Sequence, residues 1–125
     1  MSTLTFAALL GAGVLAMLPA RAHHALVVQY HVDREITIEG VVEHRALSNP
    51  HVRIHLLVDG DEPWIAEGSP HTTLLRAGWT GAEIESGALL KVVGHPARDG
   101  SNIVLWRRLY LADGREVWGK HVDSP

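Results

Sequence analysis

An all-β fold is predicted: a small closed barrel of five strands, with one short helix between the third and fourth. Three observations predict it. Between His51 and Val58 the aliphatic residues Val52, Ile54, Leu56 and Val58 alternate with His51, Arg53 and His55. Successive side chains of a strand point to opposite faces, so this period of two describes a half-buried strand. The elements then run in the order three strands, one helix, two strands. Asp59-Gly60, Asp99-Gly100 and Asp113-Gly114 supply the tight turns that antiparallel strands need.

In chain order, residues 23–34 read as an irregular lead-in, with a short edge strand at Leu26–Tyr30. Glu35 to His44 forms the first strand, where Ile36 and Ile38 alternate with Glu35, Thr37 and Glu39. After Gly40 the pair Val41-Val42 breaks that phase, which places a β-bulge at the glycine. Residues 46–50 connect to the second strand, His51–Asp59. The third strand surrounds Trp64 and Ile65 between Glu62 and Glu67. Ser69 can cap a helix, Pro70 fits its first position and Gly78 its stop, so residues 70–78 form about two turns. Trp79 and Ile84 pack beside that helix. The fourth strand is Ala88–His95. The fifth is Asn102–Ala112, with Ile103, Leu105, Leu109 and Leu111 on one face and Trp106 in phase with Val104 and Arg108. A core role for Trp106 is preferred even so, because an indole buries so much area. A short segment holding Val117 and Trp118 completes a domain over residues 35–118, and residues 119–125 form a flexible tail.

The front of the chain reads as removable. Phe6 to Leu18 is an uncharged apolar run, and Ala20-Arg21-Ala22 places small residues where a signal peptidase reads them. The run is shorter than the ~20 residues of a membrane span. Residues 1–22 are therefore expected to be a signal peptide, which makes the protein periplasmic or secreted. Cleavage after Ala22 leaves 103 of the 125 residues. It removes one of 11 Lys+Arg and none of 14 Asp+Glu, moving the formal net charge from −3 to −4. An acidic chain argues against nucleic acid as a partner, since phosphate binding needs a basic surface. With no cysteine, the fold has no disulfide and no thiolate metal site. A chain of this size buries ~65% of its unfolded surface, enough for one modest core.

Strand and helix order together match the OB-fold, a small five-stranded barrel with a helix between strands three and four. An open antiparallel sheet with the helix packed on it is the alternative. Closure is preferred because it removes exposed edges. Specific short motifs recur along the chain: Ala22-His23-His24, Asn49-Pro50-His51, Trp64 with Glu67-Gly68-Ser69-Pro70, Arg76-Ala77-Gly78-Trp79 and Gly94-His95-Pro96-Ala97-Arg98-Asp99-Gly100-Ser101. In that order they resemble domain-of-unknown-function family 6152, short exported bacterial proteins. Leu47-Ser48 and His71 depart from the family pattern, which has an aromatic residue and Thr before Asn-Pro-His and Asn after Ser-Pro. The resemblance implies export and this fold, and it brings no activity.

Nine histidines suggest metal chemistry. Cleavage after Ala22 would free the α-amine of His23. That amine, the His23 ring and one further imidazole would make a T-shaped nitrogen site suited to Cu(II). His24, His51 and His95 are the candidates to complete it. His51 and His55 cannot share an ion, because four residues along a strand span about 13 Å. His44 and His51 flank the first hairpin connection and could meet. His51 has an equally weighted structural role, capping a backbone carbonyl beside the Asn49-Pro50 turn. His44, His55 and His71 are read as solvated polar positions. No Gly-x-Ser-x-Gly elbow surrounds Ser69, which discounts hydrolase chemistry. The sequence thus indicates a binding module, with copper as its candidate cofactor. A metal-free domain is the alternative, using the His51/Arg53/His55 face to bind a protein, an envelope polymer or a small ligand. A copper oxidase ranks last. No membrane span is expected after signal cleavage.

Overall fold

Alternating side chains become the two faces of a six-stranded sheet. The computed structural model describes residues 25–118. Its strands are β1 (Ile36–Ala46), β2 (Arg53–Val58), β3 (Glu62–Glu67), β4 (Leu89–Pro96), β5 (Ile103–Leu111) and β6 (Glu116–Trp118), with helix α1 (His71–Arg76) between β3 and β4. The sheet order is β3-β2-β1-β4-β5-β6, and β3 also pairs with β5. That last pairing, parallel from Ile65↔Ile103 to Glu67↔Leu105, closes five strands into a barrel. The closed barrel and the position of its helix are those the sequence predicts. β6 is a sixth strand, added to the far end of β5, where the sequence gives only a short segment.

Ile54 and Leu56 of β2, and Val52 just before it, are fully buried, as the alternation requires. They meet Ile38, Val42, Ala66, Leu90, Val92, Val104, Trp106 and Leu109 in one core. Leu74 of α1, Trp79 and Ile84 join the same cluster. The Trp79 ring lies 6.0 Å from that of Trp106 and 6.3 Å from that of Trp118. Aromatic pairs at such distances add to the area they bury. Arg45 turns its guanidinium onto the carbonyls of Gly81 and Ile84, tying the stretch after α1 to the barrel.

Four sequence expectations are corrected. Residues 25–29 are helical, and Tyr30 makes a single bridge to Ala97, so the lead-in is no edge strand. The bulge in β1 lies at Glu43, where Val42 faces Leu56 and His44 faces His55. Gly40 keeps its phase and faces inward. Glycine serves there because a Cβ would lie 2.6 Å from the Leu57 carbonyl oxygen. In β5 the register shifts at Arg107, so Val104 and Trp106 point inward before it and Leu109 after it. One period of two cannot describe a strand that changes phase midway. Finally, Ser69 does not cap α1. Pro70 holds the cap position without a side-chain bond, and Asn49 Oδ1 accepts from Thr72 N and Thr72 Oγ1, both at 3.3 Å. The cap comes from another part of the chain, beside a cis Asn49-Pro50 peptide.

The predicted signal peptide (1–22), His23, His24 and the tail (119–125) lie outside the described residues.

Candidate functional site

Glu67 is the last residue of β3 and points outward from the barrel, opposite inward-facing Ala66. Its register partners are Arg53 on β2 and Leu105 on β5, and Leu105 in turn pairs with His95 on β4. Arg53, Glu67, Leu105 and His95 therefore form one row on the outer face. An outward row would ordinarily be wet. Here Glu67 is 6% exposed and His95 7%. The lead-in covers them. Tyr30 bridges Ala97, His31 N donates to the Pro96 carbonyl at 2.9 Å, and the Arg34 carbonyl accepts from His95 Nδ1 at 2.7 Å.

Burying a carboxylate is costly unless it is paired and hydrogen-bonded. Glu67 draws its partners from three segments. Arg53 Nε donates to Oε2 at 3.2 Å. The Tyr30 phenol stands close to the same carboxylate. His51 Nε2 stands 3.7 Å from Oε1, while His51 Nδ1 donates to the Gly68 carbonyl at 3.1 Å. Burial, then the charge of Glu67, then the hydrogen bond to it push the Tyr30 phenol up to about 12. Arg53 is half-exposed, so its own pairing contributes little to stability.

A cleft of about 570 Å³ opens beside this group. Tyr30, Arg53 and Glu67 line it, with Arg98, Asp99 and Ser101 from the β4–β5 loop. The loop is braced from both sides. Arg98 Nε donates to the Val27 carbonyl at 2.7 Å and to the Tyr30 carbonyl at 3.1 Å. Asp99 Oδ1 accepts from Ser101 N at 2.9 Å and Ser101 Oγ at 2.6 Å, which holds the Asp carboxyl below its usual range. The walls thus carry two guanidinium groups, two carboxyl groups and two hydroxyls around the apolar Ile103 and Ala97. That set suits a small polar ligand carrying charge, since pockets combine an apolar wall with a few fixed polar groups.

Residues 12–106 match a family described as a family of unknown function, DUF6152. The chain belongs to that family. No curated protein matches it. Some of the motif residues quoted from the sequence lie at or beside this cleft. Asn49 caps α1, His51 and Glu67 face each other, and Gly68 packs so tightly on Trp106 that a Cβ would lie 2.1 Å from an indole carbon. Arg98, Asp99 and Ser101 form the cleft's outer lip.

Of the sequence candidates, His51 borders the site and does cap a carbonyl, as its structural reading requires. His95 is buried under the lead-in and tied to Arg34. His44 does not meet His51; it pairs with His55. Among the described residues, no three of His, Asp and Glu converge as metal ligands, and no helix is long and apolar enough to cross a membrane. Sequence reasoning placed Arg53 on a binding face with His51 and His55, and missed Tyr30 and Glu67 as its partners. Only the hydrophobic start of the lead-in and the Glu closing the Ile-Ala-Glu end of β3 hinted at them.

Proposed function

We propose that the protein is an exported binding module that holds a small polar ligand against the flank of its barrel, in the cleft at Tyr30, Arg53 and Glu67. One observation carries this reading: a carboxylate is buried on an outward strand face, where folding alone does not require it, beside an open cleft. Buried ionisable groups next to clefts concentrate at functional sites. Export is supported by the apolar run Phe6–Leu18 and the small residues Ala20-Arg21-Ala22. NMR titration with amino acids, organic acids and sugars tests the binding. Shifts are expected at Val28, Arg98 and Ser101, with loss in Arg53→Ala. Shifts confined to other faces would refute the cleft. The intact mass of the exported protein tests the start at His23.

A copper reading of the same module has its own support. Cu(II) would be held by the amine and ring of His23, with a body imidazole completing the set. His23 lies two positions before Ala25 in the chain. From Ala25 the helical residues 25–29 lead directly to Tyr30, which reaches Glu67. His51 is the favoured body ligand, because a carbonyl fixes its Nδ1–H and leaves Nε2 as the ligating nitrogen. His24 and His95 are the alternatives. Titration with Cu(II) of the chain starting at His23, and of one with an extra Ala before it, decides. Equal affinity would remove the amine from the site.

A further inference from the structure

His44 and His55 lie outside the cleft. They are register partners on β1 and β2, just past the Glu43 bulge. Their rings stack with centroids 4.0 Å apart and planes 15° apart. The bulge accounts for the meeting. One extra residue in β1 turns His44 outward, onto the face that His55 already occupies. Among the described residues no hydrogen bond reaches either ring. His51 and His95, by contrast, each spend Nδ1 on a carbonyl. Desolvation, then the neighbouring His44, then Arg53 hold the His55 imidazole below its ordinary range, against the opposing charge of Glu43. From β3 the residue facing His55 is the apolar Ile65. The neutral imidazole is the form that ligates metals.

We propose that His44 and His55 form a two-imidazole clamp for a divalent first-row transition ion of the Cu(II) and Zn(II) class. Imidazole–metal bonds are about 2.0–2.1 Å long, so two nitrogens on one ion sit roughly 3 Å apart. Facing atoms of the stacked rings are separated by about the 4.0 Å between centroids. Side-chain rotation that splays the rings and turns their in-plane lone pairs together closes the difference. The backbone need not move, because the antiparallel ladder already holds directly opposed Cβ atoms about 5 Å apart. Glu43 adds negative charge near the ion. The remaining coordination positions face solvent, open to water or to a group from a second molecule. This clamp is separate from the His23 site and does not rest on it.

The test uses the full chain with His23→Ala and His24→Ala as background, which removes the amino-terminal candidate ligands. Zn(II) is titrated by calorimetry at neutral pH, and Cu(II) is followed by electron paramagnetic resonance for imidazole nitrogen coupling. One equivalent is expected to bind. His44→Ala and His55→Ala should each weaken it at least tenfold, and His55→Gln should do the same while keeping the polar volume. Saturating Zn(II) should raise the melting midpoint of the background chain and not of the variants, a shift that a merely structural role would not produce. Acidification below the imidazole range should release the ion. Unchanged affinity in the variants, or no binding at millimolar metal, would overturn the proposal.

Discussion

Replacing Tyr30 with Phe probes the cleft at its most buried contact. Tyr30 is 4% exposed, and its phenol stands within hydrogen-bonding influence of the Glu67 carboxylate. The substitution keeps the ring and deletes only the oxygen. A hydrogen bond to a charged group contributes roughly 1.5–3 kcal/mol. Arg53 and His51 still face the carboxylate in the variant, which favours the lower end, about 1.5–2 kcal/mol. In a domain this small each kcal/mol moves the melting midpoint by about 4–8 °C, so a fall on the order of 10 °C is expected. A second signature is linked to pH. Tyr30 is raised from 10.0 to about 12 in the folded protein. Above pH 10 the unfolded chain gives up a phenol proton that the folded protein keeps, so stability falls as pH rises toward 12. Below pH 10 the contribution is fully present. The Tyr30→Phe variant has no phenol to titrate at this position. Urea melts of both proteins at mildly and strongly alkaline pH measure the difference. The stability gap between them should narrow across that range. A gap that stays constant between roughly pH 8 and pH 12 refutes the buried Tyr30–Glu67 contact.

Gly68→Ala should cost about 3 kcal/mol or more by overpacking, because the new methyl meets the Trp106 indole in a close-packed core; the urea midpoint and the tryptophan emission report it. Leu74→Ala removes a fully buried side chain that holds α1 to the core, with an expected loss of about 2–5 kcal/mol in equilibrium unfolding. Asn49→Ala deletes the cap on α1 and should cost about 1 kcal/mol, seen as faster amide exchange at Thr72 and Thr73 with the β1–β2 amides unaffected. The lowered pKa of His55 means that the unfolded chain gains its proton before the folded one as pH falls. Stability should therefore drop as pH falls through the ordinary imidazole value of 6.5, and His44→Asn should lessen the drop by removing the neighbour's share. Equal acid slopes in the two proteins would show that the stacked pair does not interact.

Reading the sequence alone is enough to place β2 and β3, the hairpin at Asp59-Gly60, the helix between β3 and β4, and closure into a barrel. Each of these rests on a local regularity. Period two marks a strand, Asp and Gly mark positive φ, and Pro with Gly brackets a helix. Membership of the family is equally legible, since its motifs survive as short strings. What fails is phase. Extra residues at Glu43 and Arg107 reverse the inside and outside of two strands, and nothing local announces them. His44 therefore meets His55 instead of His51, and Leu105 lies on the face opposite to Leu109, while the core role preferred for Trp106 holds. The cap on α1 comes from Asn49, far from Ser69 in the chain. The cleft needs more still. Tyr30, Arg53, Glu67 and Arg98 come from the lead-in, two strands and a loop, and only the lead-in folding back over an outward row makes a buried carboxylate of Glu67. Local patterns are set by neighbours along the backbone and can be read from them. A site is set by groups that meet across the fold, and their meeting depends on the register in which the strands pair.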